Sequence, residues 1–318
     1  MSIQLDIPVL FILFNRPRHA RKVLDQIRLV QPLELYVAID GPRADHATDS
    51  QQIAQCLALL DEIDWPCQVH RLVQPLNLGC RQGVSTAINW FFDQVEMGII
   101  LEDDCLPDLT FFSFCRENLL HHQHNPGVMH ITGVNFQHGQ WHGDGSYFYS
   151  KICHVWGWAS WRRAWQKYDV GMASYPEFRR QKLVNALFSD PKVQQYWTEA
   201  FDGVFAGQID TWDYQWCYAI WINYGLCICP NQNLISNIGF GQDATHTKED
   251  TELTANSPLQ PLTEVVHPRF FIESRQATEY SLTKFFRKVT GLRQRVSNIS
   301  NKTGLKTMKT TFKKHLLP

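Results

Sequence analysis

The fold is indicated first by residues 8–17, PVLFILFNRP, near the start of the chain. Residues 8–14 are a continuous apolar run of strand length, which is typical of a strand buried on both faces of a sheet. Asn15 and Arg16 end the run, and Pro17 favours the first turn of a helix, where its missing N–H is not needed. A buried strand that leads directly into a helix predicts an α/β fold.

The same alternation continues through the first third of the chain. We predict strands at residues 8–14, 33–39, 67–73 and 98–101, and helices at residues 17–30, 50–63 and 84–95 between them. Helices in these positions are crossovers that place successive strands parallel in one sheet. The prediction is a Rossmann-like, mainly parallel central sheet flanked by helices.

Polar residues follow each of these strands where it ends. They are Asn15-Arg16, Asp40, Asn77 and the triplet Glu102-Asp103-Asp104. The carboxyl ends of parallel strands meet at one edge of the sheet, where the ligands of such folds bind. We therefore expect one pocket to gather all four groups.

The acidic triplet is the sharpest chemical feature of the sequence. Three adjacent carboxylates at the end of a buried strand repel one another, and a cation would relieve that repulsion. Carboxylate oxygens are hard ligands suited to Mg²⁺ and Mn²⁺, which also bind phosphate oxygens. The same acids would also be typical of a cap on the helix that follows Pro107, but their place at the end of the fourth strand favours a metal site.

The loop before the third helix contains Asn77, Gly79 and Arg81. Backbone N–H groups at such a helix N-terminus can bind a diphosphate, and a plain turn with a helix cap is the alternative. His246 follows a glycine-containing loop and could reach the metal or the diphosphate, although a loop histidine is more often polar surface.

With these features the chain resembles the GT-A glycosyltransferases, and it is most similar to N-acetylglucosaminyltransferase I and its bacterial relatives. The resemblance covers residues 7–246 and includes later motifs in the same order. These are Val155-Trp156-Gly157-Trp158, Trp212-Asp213-Tyr214-Gln215-Trp216, Cys229-Pro230-Asn231 and residues 239–246. It implies an inverting transferase that moves a sugar from a nucleotide-diphospho-sugar, with UDP as the expected nucleotide, to a hydroxyl of a glycan or a lipid-linked acceptor.

The resemblance also implies roles for single residues. Arg16 would approach the nucleotide, and Asp40 would hydrogen-bond the uracil. Asp103 would bind the ribose or metal-bound waters, Asp104 would bind the divalent cation, and Glu102 would be structural. The alternatives are a surface arginine at position 16 and the first residue of a β-turn at position 40.

Transfer of a sugar also needs a base, because the acceptor hydroxyl loses its proton as it attacks the anomeric carbon. Asp213 is the candidate and Asp210 is the second choice. The rings of Trp212 and Trp216 are expected to stack on sugar rings. For Asp213, an acid at a helix N-terminus is the structural alternative.

Residues 154–165, HVWGWASWRRAW, are rich in tryptophan. Trp158, Trp161 and Trp165 share one face of a helix, so we expect them in the core. Gly157 allows close approach of the backbone, and Trp156 and Gly157 are expected to face the donor sugar.

The predicted divisions are a nucleotide-sugar-binding half at residues 1–135, an acceptor-binding half at residues 136–250, and an extension with a basic tail at residues 251–318. Ten Lys or Arg and no Asp or Glu follow residue 280, although the net charge of the whole chain is −1. Phe285, Phe286, Val289 and Leu292 lie among these charges. That pattern is typical of attachment to an anionic membrane surface. Nucleic acid is not expected as a partner, because nothing else resembles a nucleic-acid-binding module.

The sequence has no secretory signal and no apolar run of the roughly 20 residues that span a bilayer. Its nine scattered cysteines are typical of free, reduced thiols. We therefore expect a cytoplasmic protein of polysaccharide biosynthesis, peripheral on the inner face of the membrane. Two alternative functions are a nucleotidyltransferase that makes sugar nucleotides, for which Asn15-Arg16-Pro17 is a poor phosphate loop, and a catalytically inactive carbohydrate-binding protein.

Overall fold

Ten strands and ten helices form the fold within residues 4–239 and 256–287, the parts of the chain that the computed structural model describes. The strands are β1 Val9–Leu13, β2 Glu34–Ile39, β3 Gln68–Val73, β4 Met97–Glu102, β5 Cys105–Pro107, β6 Val128–Thr132, β7 Tyr147–Ser150, β8 Trp158–Trp161, β9 Leu226–Pro230 and β10 Ile235–Asn237. The helices are α1 Pro17–Val30, α2 Asp49–Ala58, α3 Gly79–Gln94, α4 Leu109–His121, α5 Arg162–Trp165, α6 Tyr175–Arg180, α7 Val184–Leu187, α8 Pro191–Phe205, α9 Asp213–Ile222 and α10 Arg275–Phe285.

Eight strands form one sheet in the order β3-β2-β1-β4-β8-β6-β9-β7. The strands β1 to β4 lie parallel, because α1, α2 and α3 are the crossovers between them. In the other half, β8 runs antiparallel to both β4 and β6, and β7 runs antiparallel to β9. The sheet is therefore mixed, and the prediction of a mainly parallel sheet is wrong for this second half.

The side chains of β1 and β4 alternate between two cores, one on each face of the sheet. Leu10 and Ile100 join the core formed with α3, α8 and α9. Phe11 and Leu101 join the core formed with α1, α2 and α4. Because successive side chains of a strand project to opposite faces, this alternation also sets the directions of the residues at the strand ends.

The strand β8 differs from the sequence prediction, which has a helix through Trp158 and Trp161. Both residues lie in β8, which is hydrogen-bonded on both sides and buried along its whole length. A strand buried on both faces has no polar alternation, so its periodicity does not distinguish it from a helix. The predicted burial is confirmed, since Trp158, Trp161 and Trp165 are 0%, 2% and 4% exposed.

The described part of the extension ends in α10, which packs on β7. The Phe285 ring lies 5.6 Å from the Phe136 ring, and the Phe286 ring lies 4.9 Å from the Trp197 ring. These two half-buried phenylalanines therefore make contacts within the protein, and attachment of the tail to a membrane stays a prediction. The other two apolar residues of that pattern, Val289 and Leu292, lie outside the described residues.

The helices and the cysteines bear on the predicted location of the protein. In the described part of the chain, no helix is long and apolar enough to cross a membrane. All nine cysteines are free thiols, as their spacing predicts. The location itself stays a prediction.

Candidate functional site

The acidic triplet at the end of β4 is divided between two faces of the sheet. Glu102 is two residues from Ile100, so it projects toward the core that contains α3 and α9, and Asp103 projects toward α1. Arg16 pairs with Asp103 and Asp104, and its charge also acts on Glu102, ahead of the charge of Asp213. The triplet therefore divides by face of the sheet, but its three charges still act on one another and on Arg16.

Arg16 bridges Asp103 and Asp104. It directly precedes α1, and β1 is the neighbour of β4, so the two strand ends bring the arginine to the acids. Its guanidinium donates to Asp103 Oδ1 and, at 2.8 Å, to Asp104 Oδ2. The side chains of Asp103 and Asp104 are only 3% and 15% exposed, so salt in the solvent screens these pairs weakly.

The triplet retains negative charge that Arg16 does not balance. Burial raises the pKa of Glu102, and the charges of Asp104 and Asp103 raise it further. Burial also raises the pKa of Asp103, although Arg16 acts against this rise. Burial alone would lower the pKa of Arg16, but the charges of the acids outweigh burial and raise it. One guanidinium thus faces three carboxyl groups, and a second cation would relieve the remaining repulsion.

The Asp104 carboxylate is a hard oxygen ligand of the type that binds divalent cations. Asp104 is the more exposed of the two acids that contact Arg16. The Asn237 side-chain amide lies 3.5 Å from Asp104 Oδ1. Mg²⁺ and Mn²⁺ accept one or two carboxylates when phosphate oxygens and waters complete the shell. A cation bound to Asp104 has to share this carboxylate with Arg16 or displace the arginine.

Residues 237–239 form a wall beside Asp104 that the sequence prediction missed. They reach the site because β10 pairs with β5, the strand that follows the triplet. The Ile238 N–H donates to the Asp104 carbonyl at 2.8 Å, and the Ile238 carbonyl lies 3.0 Å from His19 Nε2. A Cβ at Gly239 would lie 2.3 Å from Asp104 Oδ2 and 2.8 Å from Arg16 Nη1, so any side chain there would displace this ion pair. The one sequence signal for this wall is a glycine soon after a short apolar segment.

Asp40 follows β2, and its carboxylate is saturated by hydrogen bonds. Oδ1 accepts from the N–H groups of Gly41 and Leu78, both at 2.9 Å. Oδ2 accepts from the Asn77 side chain at 2.9 Å and from the Gly79 N–H at 3.1 Å. These contacts attach the loop before α3 to the end of β2, which is a structural role. The predicted contacts of Asp40 with uracil and of Asn77 with the donor stay predictions, and they require an exchange of these partners.

Asp210 occupies the N-terminus of α3, where the sequence predicts a bound diphosphate. Its carboxylate accepts from the N–H groups of Cys80 at 3.2 Å and Arg81 at 3.3 Å. The Arg81 guanidinium donates to the Val170 carbonyl. An acid at this position stabilises a helix N-terminus, so Asp210 caps α3, and a role as the base stays a prediction.

Asp213 is the first residue of α9, close to the helix start that the sequence predicts. Its Oδ1 accepts from the Tyr214 N–H at 2.9 Å and from the Thr211 hydroxyl. Burial raises the pKa of Tyr168, and the negative charge of Asp213 raises it further, as it does for Glu102. Asp213 therefore lies close enough to Glu102 and Tyr168 for its charge to act on both.

Trp212 and Trp216 lie in the core and do not line the site. They are 3% and 0% exposed. Trp212 stacks on Trp158 with ring centroids 5.6 Å apart, and the Trp216 indole N–H donates to His130 Nδ1 at 3.2 Å. The prediction that these rings stack on sugars is wrong, because both indoles are packed in the core beneath α9.

Trp156 and Gly157 lie just before β8, beside the end of β4. Gly157 has a φ of +58°, and a Cβ there would lie 2.4 Å from Ile235 Cδ1. Packing and backbone conformation thus both require glycine. Trp156 is half-buried, with its ring 5.7 Å from the Phe136 ring. The contact of this pair with the donor sugar stays a prediction, and His246 lies outside the described residues.

Comparisons with known proteins do not identify the chain. No protein-family model matches it, and no curated protein matches it. Among solved structures, HddC from Yersinia pseudotuberculosis is similar at a TM-score of 0.29 and 8% sequence identity, over 51% of this chain and 80% of HddC. So distant a likeness supports no argument about fold or function.

Proposed function

We propose that the chain is a metal-dependent glycosyltransferase of the GT-A type that uses a nucleotide-diphospho-sugar, with a UDP-sugar as the favoured donor. The acceptor is a hydroxyl of a glycan or of a lipid-linked sugar. One observation carries the proposal: three adjacent acids at the end of β4 have one paired arginine, Arg16, and the charge of a further acid, Asp213, acts on the same cluster. Residues 1–135 then bind the donor, and residues 136–250 bind the acceptor.

On the donor side, Asp104 would hold a divalent cation, which would supply positive charge to the leaving diphosphate. Arg16 lies between Asp103 and Asp104. With Asp104 used in this way, Arg16 would keep its pair with Asp103, and its other guanidinium nitrogen would donate to a phosphate oxygen. Asp103 is therefore the residue that positions Arg16.

On the acceptor side, Asp213 accepts the proton of the attacking hydroxyl. The acceptor oxygen forms its bond to the anomeric carbon from the face opposite the diphosphate. The bond from the anomeric carbon to the leaving oxygen breaks, and its electron pair goes to the diphosphate. A single displacement of this kind inverts the anomeric configuration. Different groups of the chain hold the two residues, since Arg16 pairs with Asp103 and Asp104 whereas Asp213 accepts from Thr211 and Tyr214, and this supports separate roles for them.

A catalytically inactive carbohydrate-binding protein is the second candidate, and one observation favours it. Asp40, Asn77 and the N-terminus of α3, which the first candidate assigns to the nucleotide, are all occupied by groups of the chain itself. A protein that binds no nucleotide has no need to exchange these contacts.

A donor screen separates the two candidates. Hydrolysis and transfer of several nucleotide-sugars are measured with MnCl₂ for the unchanged chain, for Asp104→Ala and for Asp93→Ala, an exposed acid of α3 used as a matched control. The transferase proposal expects turnover that Asp104→Ala loses and Asp93→Ala retains. Undiminished turnover in Asp104→Ala contradicts the metal assignment, and no turnover with any donor favours the binding protein.

A further inference from the structure

A second cluster of chemically active side chains lies at the other end of α4 from the acidic triplet. α4 begins at Leu109, five residues after the triplet, and has 13 residues, so it extends roughly 20 Å at about 1.5 Å per residue. His121 is its last residue, and His122 follows. His267, from the extension, packs against both rings.

The three histidines place their nitrogens close together. One ring nitrogen of each lies within 4.8 Å of those of the other two. The rings of His121 and His267 are stacked with centroids 3.7 Å apart, and the rings of His121 and His122 have centroids 4.6 Å apart. His122 is 4% exposed, whereas His121 is exposed and has room to rotate. Three imidazoles from two separate segments are a ligand set typical of Zn²⁺.

The Tyr147 hydroxyl orients two of these rings. Its oxygen lies 3.0 Å from His122 Nε2 and 3.0 Å from His267 Nδ1. When both nitrogens donate an N–H to this oxygen, His122 Nδ1 and His267 Nε2 each keep a lone pair, and the hydroxyl proton points to Tyr149, 3.5 Å away. A polar group that accepts from the outer nitrogen of each imidazole is a regular feature of zinc sites.

A carboxylate lies beside one of these nitrogens. Glu117 Oε1 lies 3.9 Å from His267 Nε2, and Glu117 is four residues before His121 on α4, on the same face of the helix. Three imidazoles and one carboxylate make a four-ligand set of the kind that binds Zn²⁺.

We propose that His121, His122, His267 and Glu117 bind one Zn²⁺ ion. Zinc holds nitrogen ligands at about 2.0–2.1 Å, so the cluster has to contract, and rotation of the exposed His121 off the His267 ring supplies that movement. The ion would attach the segment around His267 to the end of α4. Imidazole ligands select zinc over magnesium, so this site is chemically distinct from the oxygen site at Asp104 and does not depend on the proposed function.

The test is a zinc titration of the full chain after treatment with a chelator. Calorimetry with ZnCl₂ and elemental analysis of the dialysed protein are expected to show one zinc per chain. His121→Ala and His267→Ala are expected to lose this stoichiometric binding. Tyr147→Phe keeps every ligand and is expected to bind about 10–100-fold more weakly. His46→Ala changes an exposed histidine elsewhere and is expected to bind as the unchanged chain does.

Cobalt distinguishes this site from the one at Asp104. Co²⁺ added to the chelator-treated chain is expected to give the visible absorption of a four-coordinate ion, which Asp104→Ala keeps and His121→Ala loses. Because His121 is exposed, its replacement leaves the core intact, and the thermal unfolding of the zinc-free variant checks this. Equal zinc binding by the unchanged chain and by His121→Ala overturns the proposal, as does the lack of any zinc binding.

Discussion

Asp40 and the triplet Glu102-Asp103-Asp104 lie at the same edge of the sheet, but they differ in how far their charge is satisfied. Asp40 accepts four hydrogen bonds from N–H groups of the chain. In the triplet, Asp103 and Asp104 pair with the guanidinium of Arg16. Burial raises the pKa of Asp40, Glu102 and Asp103 alike, but backbone N–H donors oppose the rise at Asp40, whereas the adjacent acids add to it in the triplet. The chain thus supplies the partners of Asp40, and we propose that a ligand completes those of the triplet.

This difference shows that the position of an acid at a strand end does not decide its role. Asp40 and the triplet both follow buried parallel strands, and the sequence predicts contacts with the bound nucleotide for both. What separates them is the number of donors that the neighbouring loops supply. Buried charge without enough partners is costly, so it is retained where a ligand completes it.

The largest expected effect concerns Asp213, the proposed base. Asp213→Asn keeps the shape of the side chain and removes the proton acceptor, so turnover should fall about 10²–10⁴-fold while UDP binding is unchanged. Asp210→Asn is the matched comparison, because Asp210 caps α3, and its turnover should fall by less than about tenfold. Steady-state kinetics and calorimetry measure both. Full turnover in Asp213→Asn would place the base elsewhere.

The next largest effect is on stability and concerns Asp40. Asp40→Ala leaves the N–H groups of Gly41, Leu78 and Gly79 without their acceptor. The free energy of unfolding should fall by about 2–3 kcal/mol, the cost of polar groups left unpaired. Asp104→Ala should change it by about 1 kcal/mol or less, because the lost ion pair is offset by relief of repulsion. Urea unfolding followed by circular dichroism measures both, and equal losses would remove the contrast between the two groups.

The smallest effect is a pH dependence at Glu102. Its pKa in the folded chain is raised above the unfolded value of about 4.3. The folded chain therefore binds more protons than the unfolded chain between these two pKa values, and it loses stability as the pH rises through that range. The side chain in Glu102→Gln carries no charge. At pH values above both pKa values, this variant should raise the free energy of unfolding on the order of 1 kcal/mol, and below about pH 4 it should bring no gain. Thermal unfolding at several pH values measures this, and a gain that is the same at every pH would contradict the repulsion.

The parallel half of the sheet can be predicted from the sequence because each of its central strands is an apolar run and each crossover is a helix. The same reasoning places Arg16, Asp40 and the triplet at one edge. It fails at β8, whose residues Trp158 and Trp161 are buried on both faces and imitate a helical pattern. It also fails at Trp216. The position of this tryptophan near a candidate base does not show that its ring is buried in the core.

The contacts that complete the site cannot be predicted from local patterns. Asn237 reaches Asp104 across 133 residues of chain, through the pairing of β5 with β10. The close approach of Gly239 to Arg16 depends on the same pairing. Saturation of Asp40 depends on the shape of the loop after β3, which brings the N–H groups of Leu78 and Gly79 and the Asn77 amide to one carboxylate.

The central claim, that the triplet binds a divalent cation together with a nucleotide diphosphate, is tested most directly by calorimetric titration with UDP. The titration is done with and without Mn²⁺ for the unchanged chain, for Asp104→Ala and for the control Asp93→Ala. We predict UDP binding that requires Mn²⁺ in the unchanged chain and in Asp93→Ala, and that is lost in Asp104→Ala. Binding of UDP that is equal with and without Mn²⁺, or that survives in Asp104→Ala, would contradict the claim.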